Sequence, residues 1–203
     1  MTDWGRSRRA ALMLVLGPLV IWAAACASST ATIPPATPSP SAATTTIAPG
    51  VSVKTSELTL PPYSVSASNP LPAGITARNV IRDFIADNLI ENRAVEREDP
   101  QLLQYAVTGG LLSIDDSTIA RDQASGSRIL NIDDSISSLA IGSESDPNDS
   151  AATIALNVEG VEQTATRNAQ GKVARNVDDF HVIIWVVWSE TLDKYLRCDV
   201  SVL

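Results

Sequence analysis

Histidine, cysteine and aromatic residues are scarce in this chain of 203 residues, which contains one histidine, two cysteines and 4% aromatic side chains. The single histidine, His181, excludes the usual zinc sites, which combine several histidine ligands. The sequence also has no nucleophile elbow, phosphate-binding loop or cluster with metal-ligand spacing. We therefore predict no catalytic residues, no cofactor and no metal.

Basic residues are outnumbered by acidic ones, 15 against 23, which gives a formal net charge of −8. A protein that binds nucleic acid needs a basic surface for the phosphates, so we predict no nucleic-acid partner. The same acidity should repel anionic lipid headgroups. Attachment to a membrane would therefore need a device other than surface charge.

The N-terminal segment lacks the run of about 20 apolar residues that a membrane-spanning helix requires. It begins with Arg6, Arg8 and Arg9, followed by the shorter apolar stretch Ala10–Ala25. A basic start, a short apolar stretch and small residues at its end are typical of a cleaved secretory signal. The sequence thus predicts a signal peptide over residues 1–25.

Cys26 follows three alanines, and Ala23-Ala24-Ala25-Cys26 resembles the lipobox of bacterial lipoproteins, although Ala23 replaces the usual leucine. The resemblance implies cleavage before Cys26, lipidation of its thiol and acylation of the new amino terminus. Two or three acyl chains suffice for stable anchoring. This predicts a lipid-anchored protein on the extracytoplasmic side of the cell membrane. Ordinary cleavage beside a bystander cysteine remains the alternative, and the sequence leaves both the general and the twin-arginine export routes open.

A segment poor in charge and rich in serine, threonine, alanine and proline follows, over residues 27–50. Such a composition cannot bury enough apolar surface to offset the entropy of ordering. We predict a disordered tether over residues 26–70, open to O-glycosylation, and one folded domain over residues 71–203. Within the tether, Val51–Thr59 is compatible with an extended strand.

Helical periodicity begins after Thr76, a reasonable N-cap, and should fade between Asn92 and Val95. The apolar stripe of this helix leaves Asp87 and Glu91 on the opposite side, where we expect solvent. The residues of the stripe are Val80, Ile81, Phe84, Ile85 and Leu89. Asp99-Pro100 predicts the start of a second helix, which Gly109-Gly110 would end.

A third, short helix is expected from Asp115 to Gly126, with the Asp115 and Asp116 carboxylates near its start. After Gly126 the pattern changes to strands separated by three turns. The turns are predicted at Glu144–Ser150, Asn168–Gly171 and Glu190–Lys194. Cys198 alternates with apolar residues of the last strand, which predicts that its small side chain is buried.

The run Val182–Trp188 is apolar on both faces of a strand and therefore needs cover on both. Its even-numbered residues can face the helices. Ile183, Trp185 and Val187 then need another cover, for which segment 51–65, a partner chain and a ligand are the candidates. We predict an interface at these three residues, including a possible homodimer through the sheet face.

The arrangement resembles that of small actinobacterial lipoproteins with a nuclear-transport-factor-2-like, or cystatin-like, domain. The similarity rests on the tether, Tyr105–Gly110, Ser150–Ile154 and the final hairpin around Asp193-Lys194-Tyr195. It implies an α+β fold in which N-terminal helices pack in the concave face of a curved antiparallel sheet. In this family the fold carries enzymes, scaffolds and noncatalytic binding modules, so it does not decide the activity.

Tyr105 and Trp188 are the candidates for lining a pocket in such a cone. His181 is more consistent with a structural or rim position, since it begins an apolar strand beside Asp178 and Asp179. Adjacent carboxylates on a strand point to opposite faces, so Asp178-Asp179 and Asp133-Asp134 are not ready-made catalytic pairs.

Three functions fit the sequence. The first is a membrane-anchored envelope lipoprotein whose domain binds a protein or a small apolar ligand without catalysis. The second is an isomerase- or cyclase-type enzyme, which requires a pocket with a carboxylate near Tyr105. The third is a scaffold subunit of an envelope or secretion complex.

Overall fold

The computed structural model describes residues 43–148 and 151–203. Its contacts divide the chain into two units, of which the second, Thr44–Leu203, is compact. The predicted signal peptide, the proposed lipidation site Cys26 and most of the predicted tether lie outside the described residues. None of the helices described here is long and apolar enough to cross a membrane.

The second unit is an α+β fold, as predicted. A strand hairpin and a short strand come first, then the helices, then four long strands. The elements are β1 (Thr44–Ala48), β2 (Val51–Lys54), β3 (Tyr63–Val65), α1 (Ala77–Arg97), α2 (Gly109–Ser125), β4 (Arg128–Ser143), β5 (Ile154–Arg167), β6 (Val173–Ser189) and β7 (Lys194–Val202). Two 3-10 helices, Thr55–Leu58 and Pro100–Tyr105, complete the chain path.

The main sheet has the order β3-β4-β5-β6-β7, and β4 to β7 form the predicted antiparallel meander. β3 pairs parallel to β4, with Tyr63 opposite Leu139 and Val65 opposite Ile141. The sheet is therefore mixed, and the prediction of a purely antiparallel sheet is wrong. Parallel pairing needs a long crossover between the two strands, and the segment that contains both helices supplies it.

The folded unit begins at Thr44, well before the predicted start at residue 71. β1 and β2 form a hairpin around Gly50, whose φ of 73° suits the turn. Val51 and Val53 are buried and pack in the same cluster as Ile90 of α1. Alternating apolar side chains thus order this segment, although the proline- and threonine-rich composition around it predicted a tether.

Helix α1 starts after Thr76 as predicted and extends to Arg97, a little beyond the expected end. The predicted apolar stripe faces the sheet and forms the main core. Asp87 and Glu91, which were expected on the solvent side, are buried as well. They are buried because Lys194 and Arg197 of strand β7 contact them.

The helices after α1 differ from the prediction. Asp99 accepts a hydrogen bond from the Gln101 amide at 3.1 Å, but the helix it caps is a 3-10 helix. Gly109 begins α2 instead of ending a helix. A Cβ on Gly109 would lie 3.4 Å from the carbonyl oxygen of Cys198, at a φ of 58°. Glycine therefore lets the chain pass β7 closely and turn into α2, which ends at Gly126 as predicted.

Three apolar clusters organise the fold. The largest joins α1 to the sheet, and the second joins α1, α2, the 3-10 helix at Pro100–Tyr105 and the β1–β2 hairpin. The third is small and lies on the other face of the sheet, around Trp185. Helix α1 contributes to both of the larger clusters, so it is the central element of the unit.

Candidate functional site

The most unusual feature of the structure is a set of charged residues buried between α1 and β7. Asp83, Asp87 and Glu91 are spaced four residues apart, which places their carboxylates on one face of α1. Lys194 and Arg197 approach them from β7. We call these five residues the α1–β7 ionic cluster.

Arg197 is the centre of this cluster and is only 2% exposed. Its Nη1 donates to Glu91 Oε2 in a buried ion pair and to Asn88 Oδ1 at 3.3 Å. Burial by itself disfavours the guanidinium charge, but Glu91, and then Asp115 and Asp87, outweigh it and raise the pKa of Arg197. The side chain is therefore a fixed buried cation.

Asp87 is completely buried and accepts a hydrogen bond from the Lys194 ammonium at Oδ1. Its Oδ2 is buried without a hydrogen-bond partner among the described residues. Burial raises the pKa of Asp87 from 3.8 to about 8, although Lys194 and Arg197 oppose the shift. One of the two carboxyl oxygens lacks a partner, so the cost of removing the charged form from water exceeds its stabilisation by Lys194 and Arg197.

Asp83 lies at the outer end of the cluster and accepts the backbone N–H of Tyr195 at 3.2 Å. Burial, and then the Asp83 charge, raise the pKa of Tyr195. The Tyr195 ring meets Trp188 edge to face, with 5.1 Å between the ring centroids. Trp188 is 47% exposed, so the cluster opens to the surface at an aromatic pair.

A second polar contact ties α1 to the opposite side of the meander. Asn88 and Asn92 donate to Asp134 Oδ2 of β4, at 2.7 and 2.9 Å. Glu96 accepts the backbone N–H of Ile132 at 2.9 Å. One helix thus holds β4 through amide and carboxylate hydrogen bonds and β7 through ion pairs.

The predicted pocket residues Tyr105 and Trp188 belong to different packing groups. Tyr105 is partly buried against the cluster formed by both helices and the β1–β2 hairpin. Trp188 contacts Tyr195 at the β6–β7 hairpin. His181 is half-exposed, with its Nε2 2.8 Å from Asn157 Oδ1 and 3.6 Å from Glu159 Oε1.

Of the three predicted interface residues, Trp185 is covered by the chain itself. Trp185 is 5% exposed and packs with Ala152, Ala155 and Cys198, and Ile183 and Val187 lie against this cluster. The β4–β5 connection, through Ala152, supplies part of this cover, and it was not among the three candidates named from the sequence. Trp185 therefore has a core position, whereas Ile183 and Val187 stay partly exposed.

Cys198 is buried as predicted, and its thiol donates to the carbonyl oxygen of Trp185 at 3.4 Å. Asp115 was expected to cap a helix but lies inside α2 and is buried. Within residues 43–148 and 151–203, no group of three or more metal-ligating side chains could hold an ion.

Sequence reasoning missed the ionic cluster, although one signal was present. Asp83, Asp87 and Glu91 recur every four residues along one face of a helix. Lys194 and Arg197 were placed in a turn and a terminal strand with no indication that they face α1. Only the packing of the helix on the last strand brings the two sets together.

Comparisons with known proteins give little further guidance. No family model matches the chain, and no curated protein matches it. Among solved structures, it is similar to the intermembrane space region of the chloroplast protein ARC6, with 17% sequence identity and a TM-score of 0.46. The match covers 66% of this chain and 98% of that one.

Replacing Arg197 with methionine should destabilise the unit strongly, because it leaves Glu91 as a buried carboxylate without its cation. Breaking a buried pair in this way costs about 3–5 kcal/mol. Chemical denaturation of Arg197→Met measures the change. Arg93→Met is the matched control, since the Arg93–Glu96 pair is partly exposed and should be worth about 0–1 kcal/mol.

The double variant Glu91→Leu with Arg197→Met should recover most of the lost stability, since it removes both charges. The pair has no structural role if Arg197→Met costs no more than Arg93→Met.

The raised pKa of Asp87 predicts that this residue stabilises the fold at low pH. The folded protein holds the Asp87 proton up to about pH 8, whereas the unfolded chain releases it near 3.8. The contribution is therefore complete below the unfolded pKa and is lost as the pH rises through the folded one. One proton changes the free energy of unfolding by at most about 1.4 kcal/mol per pH unit.

Asp87→Asn should flatten the dependence of the unfolding free energy on pH between about 4 and 8. Denaturant titrations at several pH values, with the exposed Asp133→Asn as control, give this slope directly. An unchanged slope in Asp87→Asn would show that Asp87 titrates normally in the folded protein.

Proposed function

We propose that this chain is a lipid-anchored envelope protein whose folded unit binds a protein or a small apolar ligand without catalysing a reaction. The basic start, the short apolar stretch Ala10–Ala25 and Cys26 support the anchor. The segment between Cys26 and Thr44 is uncharged and rich in proline, which suits a spacer that holds the unit away from the membrane.

The proposal includes the cone of the nuclear-transport-factor-2-like family, which this chain resembles. Helix α1 packs against one face of the sheet, and β4 to β7 form a meander. Register shifts occur in β4 at Ile129/Asn131 and at Ile136/Ser138, and in β7 at Cys198, the extra residue opposite Trp185/Val186. Bulges of this kind bend strands and increase their twist, which supports a curved sheet.

The observation that carries the noncatalytic proposal is that the buried polar groups of the α1–β7 ionic cluster contact one another. Lys194 pairs with Asp87 and Arg197 pairs with Glu91, so the groups with the strongest chemical character bind one another. An acid or base that acts on a substrate must reach it within hydrogen-bond distance. Asp87 is fully buried and engaged by Lys194, which favours a structural role.

The isomerase alternative requires a carboxylate near Tyr105. Tyr105 packs against a cluster that includes the apolar residues Ile90, Leu102 and Leu111. No observation favours this alternative over a binding protein.

The surface best suited to a partner is the aromatic pair at the β6–β7 hairpin. Trp188 is half-exposed, and Tyr195 holds its orientation through the edge-to-face contact. Lys194 lies beside Tyr195 in sequence and keeps part of its side chain in solvent. Exposed tryptophan and tyrosine residues with one cation nearby are typical of the energetic centre of a binding surface.

The experiment is site-specific photocrosslinking in intact cells that produce the full chain. A photoreactive amino acid at position 188 should give a discrete adduct in the membrane fraction. The matched control is the same amino acid at Leu130, an exposed apolar position on β4. With Cys26→Ser, the protein should leave the membrane fraction, because the acyl chains can no longer attach.

Adducts of equal yield at positions 188 and 130 would remove the aromatic surface from the proposal. Retention of Cys26→Ser in the membrane fraction after its signal peptide has been cleaved would remove the lipid anchor.

A further inference from the structure

Strand β6 extends beyond β7, the strand that pairs with it on one side. β5 pairs with it from Val173 to Val186, whereas β7 pairs with it only from Val182 to Ser189. The last contact on the β7 side is the Leu203 N–H, which donates to the His181 carbonyl at 3.0 Å. In the part of the chain that the structure describes, no strand pairs with β6 on this side over Val173–Phe180. We call this segment the β6 edge.

The opposite side of the meander, formed by β4, is protected, whereas the β6 edge is open. β3 covers β4 at Leu139–Ile141, and the Glu96 carboxylate occupies the N–H of Ile132. The Arg128 side chain also reaches α1, donating to the Glu96 carbonyl at 3.2 Å. Proteins commonly shield sheet edges in such ways, since an open edge is a template for another strand.

The orientation of backbone groups on the β6 edge follows from His181. Its carbonyl points toward β7, and in an antiparallel ladder the residues that point to one side alternate. Arg175, Val177 and Asp179 therefore direct their N–H and C=O groups to the open side. The same alternation places these three side chains on one face of the sheet, and all three are exposed.

The side chains of the β6 edge are complementary to a second copy of the same segment. If two copies pair antiparallel with Val177 on the two-fold axis, Arg175 of each lies opposite Asp179 of the other. Unlike charges in directly opposed positions stabilise a strand pair. Val177, which is 66% exposed, then meets its own copy and loses much of its apolar surface to the contact.

Other two-fold registers lack this match. An axis at Arg175 or at Asp179 places like charges opposite each other, and an axis at Asp178 does the same. An axis at Asn176 pairs no charged residues with each other. The charges of the β6 edge thus disfavour the competing registers and favour one, which is how charge patterns give specificity.

We propose that the β6 edges of two copies of this chain pair antiparallel about Val177 and join their sheets into one. The residues that point outward, Arg175, Val177 and Asp179, form the hydrogen-bonded pairs of this interface. It is an isologous contact, as two-fold dimers require. The surface is separate from Trp188 and from the anchor, so it does not depend on the proposed function.

The test is a charge exchange in the full chain, followed by sedimentation velocity over a range of protein concentrations. The buffer should contain about 0.15 M salt, where a Debye length of about 8 Å screens the general repulsion between two acidic chains. The wild type should show a concentration-dependent dimer. Arg175→Asp and Asp179→Arg should each abolish it, because each places like charges opposite one another.

The double variant Arg175→Asp with Asp179→Arg should restore the dimer, since it recreates both unlike pairs. Thermal unfolding of all variants controls for folding, and no variant should unfold early because both positions are exposed. A wild type that stays monomeric at every concentration overturns the proposal. A dimer that persists in both single variants also overturns it and indicates another interface.

Discussion

The buried ion pair between Arg197 and Glu91 is the interaction on which the arrangement of this fold depends. A charge removed from water is tolerated only when a partner of opposite charge stays in contact with it. Because the partners lie on β7 and α1, separation of the helix from the sheet would take each charge away from its partner. The hydrogen bonds from Asn88 and Asn92 to Asp134 fix the same helix to β4. One helix therefore determines the relative positions of two strands that are not neighbours.

The sequence predicted the elements whose signals are local. The apolar stripe of α1, its start after Thr76 and the turns of the meander follow from periodicity and capping. Burial of Asp87 and Glu91 could not be predicted in the same way, because it depends on Arg197, more than 100 residues away. The same limit applies to Gly109, which has a positive φ at the point where the chain passes Cys198 of β7. The early start at Thr44 was hidden by a composition that is typical of linkers.

The distribution of polar chemistry has consequences for function. The strongest charges stabilise the contact between α1 and β7, and the surface keeps an aromatic pair at one end of β6 and an open edge at the other. The raised pKa of Asp87 adds a dependence on pH to the stability of the central helix.

The most direct test of this account is native-state hydrogen exchange at increasing denaturant. If the ionic cluster couples α1 to the meander, the amides of Ile81–Glu91 and those of Leu196–Val200 should open with the same free energy, close to that of global unfolding. The account is contradicted if the α1 amides exchange through a separate opening of lower free energy while β5, β6 and β7 remain protected. That result would mean that the helix is held by apolar packing alone.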